Sequence, residues 1–330
     1  MRRQFFRFAS LLIAACAIST GATAQNSSKS SATWPTRPVR IIVGFPGGSS
    51  PDLTARAFAE PLSKALGQPV IVENKVGAAG NIAADFVAKA TDDHTIGLMI
   101  NGNMTIARLL NPKLPYDPLK DLTPVSLIGV SPLVLVAPAN TSGATAKDVL
   151  ANARTAGNTW NYGTPGVGTV GHLGMELLKS KAGIAPVHVP YPGYPQVATA
   201  LMAGDLQLSL LPPALAMTQI RAGKLRAIGI TASVRSALVP DLPSLSEAGV
   251  KDFNLEIWNA VAAPNSMPKP VVARLSALFS DIARTPEMRQ KMFQQGWSVV
   301  GTSSEGLANR VKADTALLGN IIASQAIKVD

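Results

Sequence analysis

From Trp34 onward, short runs of β-branched and other apolar residues alternate with stretches whose apolar positions recur every three or four residues. That alternation is the sequence form of an α/β protein, in which amphipathic helices cover buried strands. The first unit is sharply bounded. Val39-Arg40-Ile41-Ile42-Val43 predicts a strand, Gly44 to Ser50 a Gly/Pro-rich turn, and Pro51 to Leu66 a helix. Ser49 or Ser50 can cap that helix, Pro51 suits its first position, Lys64 its last turn, and Gly67 the left-handed residue that ends it. Val70-Ile71-Val72 returns as a strand, Asn81 to Ala90 predicts a second helix, and Thr95 to Ile100 a third strand ending at Asn101-Gly102-Asn103.

A second set of units begins after Leu127. Leu133 to Val136 and Trp160 to Tyr162 read as strands. Thr169 to Ser180 reads as a helix with Val170, Leu173, Leu177 and Leu178 on one face, Lys179 and Lys181 at its negative end, and Gly183 as its stop. Val187 to Val189, a helix from about Gln196 to Ala203, and alternating segments at Leu206 to Leu210, Met217 to Ala222 and Leu225 to Thr231 continue the series. From Pro270 the chain is mainly helical. The repeated strand-helix order predicts largely parallel sheets.

Composition narrows the class. Of 330 residues, 47% are hydrophobic and only 15% charged, so the chain can bury a large core and wholesale disorder is excluded. The first 24 residues change how the charge is read. Arg2, Arg3 and Arg7 precede an apolar run from Phe8 to Ile18 and then Ala22-Thr23-Ala24, the layout of a secretory signal peptide cleaved after Ala24. Its removal takes three arginines from the formal charge of +10, and with them the single cysteine, Cys16. Ile13-Ala14-Ala15-Cys16 offers a rival processing site, with Cys16 acylated and retained; the short apolar run before it makes the Ala22-x-Ala24 site the better fit. Residues 25–33, rich in Ser, Asn and Lys, predict a flexible tether. Beyond them no apolar run reaches the length of about 18 residues that a membrane span needs.

Two strand, Gly-rich turn and helix units stand out, one in each half: VGFPGGSSPDLTAR (Val43 to Arg56) and NYGTPGVGTVGHL (Asn161 to Leu173). Each places unpaired backbone amides at a helix start, on the side of an α/β sheet where ligands bind, which suits an anion or carboxylate. The competing reading is that Gly and Pro merely make tight turns. Gly166-Val167-Gly168-Thr169-Val170-Gly171 matches a dinucleotide fingerprint, but no Asp or Glu lies near His188 to Tyr191, about 20 residues on, to hold a ribose. No Walker loop, H-E-x-x-H or G-x-S-x-G motif is present. His94, His172 and His188 lack metal-ligand spacing, so no metal or other cofactor is expected. His172, in the first turn of its helix, can donate to a ligand oxygen or simply pack there. Lysines and arginines are scattered without a basic run, which argues against nucleic-acid binding.

A series of motifs in order carries a resemblance over essentially the whole chain after the leader: WPTRPVRIIVGFPGG, LGQPVIVENKVGAAGNIAADFVAKA, YDPLKDLTPVSLIG, NYGTPGVGTVGHLGMELLK, VPYPGYPQVATALMAGDL, AGKLRAIGITASVRS, LPDLPSLSEAGV and LEIWNAVAAP. The chain resembles the Bug (Bordetella uptake gene) or TctC-like family, the periplasmic solute-binding components of tripartite tricarboxylate transporters. The resemblance implies an α/β, two-lobed Venus-flytrap periplasmic-binding-protein fold with two chain crossovers, lobe 1 being 34–127 and 255–330 and lobe 2 being 128–254. It implies a monomer that captures a small carboxylate between the lobes, without catalysis, and delivers it to membrane permease subunits. A ligand-sensing subunit for a membrane receptor kinase is the alternative partner reading. An enzyme using His172 and Thr169 is a more remote one, because no acid-base relay is evident.

By the matching motifs, Phe45, Gly48, Ser49, Ser50 and Asp52 would form the lobe 1 wall, with Asn103 after the third strand. Thr164, Gly166, Gly168, Thr169 and His172 would form the lobe 2 carboxylate loop, with Tyr191 and Gly193 beside it. Tyr191 could instead pack in the core, Asp52 could only cap its helix, and Arg56 is expected in a structural ion pair. The chain departs from the family pattern in FPGGSSPD, in Gly77-Ala78-Ala79-Gly80 where G-A-G-G is usual, and at Gln207 and Leu211, which often are acidic. The last change favours a plain or aromatic carboxylate over an amino acid.

Overall fold

The computed structural model describes residues 34–327. The expected signal peptide (1–24), Cys16 and the tether (25–33) lie outside the described residues. The chain opens with β1 (Val39–Val43), α1 (Ser50–Leu66), β2 (Val70–Asn74), α2 (Asn81–Ala88) and β3 (Thr95–Ile100). Two single-turn helices, α3 (Asn101–Met104) and α4 (Ala107–Leu110), lead to β4 (Leu122–Pro132). A second set comprises β5 (Val134–Pro138), α5 (Ala146–Ala156), β6 (Asn161–Thr164), α6 (Val170–Ala182), β7 (Val187–Pro190), α7 (Tyr194–Ala203), β8 (Leu208–Leu211), α8 (Pro213–Arg221) and β9 (Leu225–Ile230). The chain returns in β10 (Glu256–Pro264) and ends with α9 (Lys269–Arg284), α10 (Pro286–Gln294), β11 (Ser298–Val299) and α11 (Ser304–Ser324).

The strands form two sheets. One has the order β11-β4-β10-β3-β1-β2 and the other β7-β6-β8-β5-β9. The chain therefore passes from the first sheet to the second at Leu133 and comes back between β9 and β10. Strand β4 stays in the six-stranded sheet through Pro132, past the expected lobe boundary at Leu127.

The expectation of largely parallel sheets is corrected: both are mixed. β1 pairs parallel with β2 and β3, and β6 with β7 and β8, as the intervening helices require. In each sheet the strand that has just arrived from the other half runs against its neighbours. β5 is antiparallel to β8 and β9, and β10 to β3 and β4, with the short β11 also antiparallel to β4. An apolar run buried on both faces reads the same in either direction, so the pattern could not distinguish them.

Strand β4 itself was not predicted, because Pro124 and Pro132 interrupt its apolar run. Its pairing with β10 absorbs the irregularity by skipping Ile128 and Val125, two bulges in an eleven-residue strand. The core follows the two sheets. Ile41, Phe58, Leu98, Phe279 and Trp297 pack on one face of the six-stranded sheet, and Met99, Tyr116, Trp258, Leu307 and Val311 on the other. Tyr162, Leu173, Leu178 and Leu208 anchor the second half. Helix α11 serves both: Leu307 and Val311 enter the first core, while Leu318 and Ile321 enter the second.

Candidate functional site

The turn after β1 brings the start of α1 to the carboxyl edge of its sheet. Ser49 occupies the N-cap with extended backbone, yet its side chain makes no capping bond. Asp52, in the first turn, instead ties down the turn before the helix. It accepts from the Gly48 amide (2.9 Å), the Asn74 side-chain amide (2.9 Å) and the Arg56 Nε (3.1 and 3.0 Å). Burial alone would raise the Asp52 pKa, but these donors, Arg56 foremost, hold it below the usual carboxylate range. Asn74 also donates to the Phe45 carbonyl (2.9 Å), which ties the turn to β2. The Ser49 hydroxyl is left without a partner although the residue is only 3% exposed. Ser50 Oγ accepts from the Trp297 indole (3.1 Å).

The facing loop joins β6 to α6. Gly166 (φ 116°) and Gly168 (φ 82°) take left-handed backbone that a side chain would strain. Thr169 caps α6: its Oγ1 accepts from the His172 amide (3.4 Å) and donates to the Gly166 carbonyl (2.8 Å). Behind the loop sits a buried cluster. His172 Nδ1 accepts from the Gly168 amide (3.4 Å), and His188 Nε2 meets Thr164 Oγ1 at 2.6 Å. The two imidazoles lie 4.5 Å apart, and Tyr162 stacks on His188 at 5.0 Å. Tyr162 donates to Glu176, which also pairs with Lys179 (2.9 Å). Burial pushes both histidine pKa values down, His188 from the ordinary 6.5 to about 4, so the cluster is neutral at its imidazoles near neutral pH.

The two halves approach closely around these loops. A Cβ on Gly102 would lie 2.5 Å from the Gly168 carbonyl oxygen, one on Gly166 would lie 3.0 Å from Ala79 Cβ, and one on Gly193 3.3 Å from Pro46. Two adjoining cavities remain between the halves. An inner one of about 40 Å³ is bounded by the starts of three helices: Ser49 to Pro51 at α1, Thr169 and Val170 at α6, and Tyr194 at α7. Asn101, Asn259 and Trp297 close its other side. An outer one of about 580 Å³ is lined by Val76 to Asn81, Asn103, Leu110 and Leu114 from one half and by Pro165 to Gly168 and Pro190 to Pro192 from the other. Pro165 borders both. Neither lining contains Asp, Glu, Lys, Arg or His.

Of the residues expected at the site, Phe45, Ser49, Ser50 and Thr169 line the inner cavity, and Asn103, Gly166, Gly168 and Tyr191 the outer one. Gly48, Asp52, Thr164, His172 and Gly193 line neither. They stand behind the walls: Asp52 and Gly48 in the α1 cap, Thr164 and His172 in the buried cluster, Gly193 at the start of α7 against Pro46. Sequence reasoning missed Tyr194, Trp297, Asn259, Leu110 and Leu114. No local signal marks them, because they reach the cleft from other elements by tertiary packing.

Two α/β halves joined by extended crossings, with facing helix starts around a cleft, define a periplasmic solute-binding protein fold. The chain belongs to the tripartite tricarboxylate transporter family receptor group, TctC, whose model matches residues 54–327. BugT of Bordetella pertussis is 32% identical over 266 residues, 80% of this chain and 82% of that protein. Two solved structures from Rhodopseudomonas palustris are similar: Rpa4515 with adipate (TM-score 0.86, 29% identity, 89% of this chain and 99% of that one) and MatC with bound malate (TM-score 0.82, 31% identity, 87% and 99%). Among the described residues no helix is long and apolar enough to cross a membrane.

Proposed function

We propose that this protein captures a small carboxylate in the cleft and hands it to the membrane subunits of a tripartite tricarboxylate-type transporter. The observation that carries the reading is the inner cavity, where the amide-bearing starts of α1, α6 and α7 converge with the unpartnered Ser49 hydroxyl and no cation. First-turn amides lack intrahelical acceptors and carry the positive end of the helix dipole, so a carboxylate supplies what they need. A cage of neutral donors holds an anion reversibly, which suits a carrier.

The adipate and malate held by two structural neighbours support a carboxylate ligand. The six-stranded half, with its first boundary after Pro132, is proposed as lobe 1 and the five-stranded half as lobe 2, parting to admit ligand and closing over it. The protein acts as an exported monomer and performs no chemistry. A His172–Thr169 relay has little support, since His172 Nδ1 is occupied by the Gly168 amide and Thr169 donates to Gly166.

Isothermal calorimetry against small carboxylates tests the reading, with Ser50→Ala/Thr169→Ala as the altered protein. The expected result is a variant that still unfolds cooperatively, at a melting temperature lowered by the lost α6 cap and the lost Trp297 acceptor, and that binds carboxylate more weakly at a temperature where it is fully folded. No binding by any small carboxylate would overturn the reading, and unchanged affinity in the variant would take these two hydroxyls out of the site.

A further inference from the structure

We propose that the outer cavity restricts the ligand to monocarboxylates with an uncharged, mainly apolar body; this rests on the carboxylate reading of the inner cavity. At about 40 Å³ the inner cavity has room for one carboxylate-sized group, so the rest of any larger acid must extend into the outer space of about 580 Å³. That space offers such a body apolar surface from Ala79, Leu110, Leu114, Val167 and Pro190. Its polar side chains are neutral: Asn81, Asn103, Asn111 and Tyr191.

A second carboxylate would find little compensation there. The start of α2 borders the cavity, but the two amides there are spent within the turn, that of Gly80 on the Gly77 carbonyl (2.9 Å) and that of Asn81 on the Ala78 carbonyl. The Asn103 side-chain amide is committed to the Ala79 carbonyl (3.1 Å) and to Asn81 Oδ1 (2.9 Å), which also accepts from Tyr116 (2.8 Å). Among the described residues, Asn81 Nδ2 and Asn111 Nδ2 are the lining side-chain amides left without a partner. Two separate neutral amides suit a hydroxyl, ether or carbonyl on the ligand body, whereas a carboxylate pressed against these walls would lose hydration without gaining a cation.

The test is calorimetry of the purified protein with hexanoate, benzoate, adipate, malate and the neutral analogue hexanamide, repeated with Asn111→Arg. Asn111 is exposed at the cavity rim, so the substitution adds a guanidinium without disturbing the core. Hexanoate or benzoate is expected to bind at least about tenfold tighter than adipate and malate, and Asn111→Arg to shift the adipate-to-hexanoate ratio by roughly tenfold toward adipate. Adipate or malate binding the unaltered protein as tightly as the monocarboxylates would overturn the inference and leave the carboxylate reading intact. Hexanamide binding as well as hexanoate, or no acid binding at all, would instead overturn the carboxylate reading beneath it.

Discussion

A buried hydroxyl without a partner costs free energy that a folded protein normally avoids, and Ser49 at the α1 cap is in that position. If that cost is retained for ligand, Ser49→Ala should behave unusually for a core substitution. Urea unfolding should show the ligand-free variant as stable as the parent or up to about 1 kcal/mol more stable, while calorimetry shows carboxylate binding weakened roughly tenfold. A variant that loses stability and keeps its affinity would make Ser49 purely structural. Ala79 carries strain of another kind. It sits at φ 52°, ψ 35°, where glycine is favoured, in the turn where the family pattern has glycine. Ala79→Gly should therefore raise stability by about 1 kcal/mol in the same unfolding experiment, and no gain would mean the turn is not strained. Residue roles of this sort were half legible. The helix-start signals marked Ser49, Ser50 and Thr169, all of which line the inner cavity. They also drew in Asp52 and His172, since a polar residue in a first turn does not reveal whether its atoms face the ligand or the cap.

Helix α6 and its two supporting strands show what spacing alone conceals. His172 and His188 looked unrelated, but the parallel pairing of β6 with β7 sets Tyr162 opposite His188, and α6 lays His172, Glu176 and Lys179 beside them. Both imidazoles are held neutral by burial, with the neighbouring histidine and Lys179 pushing His188 further down and Glu176 opposing. The folded state then binds protons more weakly than the unfolded chain between the ordinary 6.5 and about 4, so stability must fall as pH drops through that window. Glu176, held below its ordinary range because bonds from Tyr162 and Lys179 outweigh its burial, adds a loss only at lower pH. Thermal melts between roughly pH 7 and pH 4.5 should show this slope, and His188→Gln should flatten it. An equal slope in the variant would assign the acid sensitivity elsewhere. Most strands and helices were readable from periodicity and punctuation. The bulged, proline-bearing β4 and the reversed directions of β5 and β10 were not, because both are settled by which neighbour a strand meets across the sheet.

At the scale of the whole molecule, the two halves are held by different kinds of contact. Helix α11 packs into both cores, and its buried Asp314 accepts from the Trp258 indole (2.6 Å), Asn101 (3.3 Å) and Arg310 (2.9 Å), close to where the chain returns in β10. These bonds seat α11 on the six-stranded half, while Leu318 and Ile321 enter the core of the other, so the helix bridges the two on one side. Across the cleft, by contrast, the halves meet through glycines and small residues that only approach one another, Gly102 against Gly168 and Gly166 against Ala79. Such a surface can part without breaking a core, which is the asymmetry a hinged clamshell needs. Gly102 provides the test. It lies in helical α3, where alanine is compatible with the backbone, and its missing Cβ would come within 2.5 Å of the Gly168 carbonyl as the halves stand here, a clash that parting of the proposed lobes would relieve. Gly102→Ala should thus fold normally, with an unchanged or slightly higher melting temperature without ligand, yet fail to close. Small-angle scattering should show the parent compacting when a bound carboxylate is added and the variant remaining extended, with affinity reduced by at least about tenfold because the second half of the cage never arrives. If the variant binds and compacts like the parent, the contact between Gly102 and Gly168 is not part of closure, and the two halves must meet along another line.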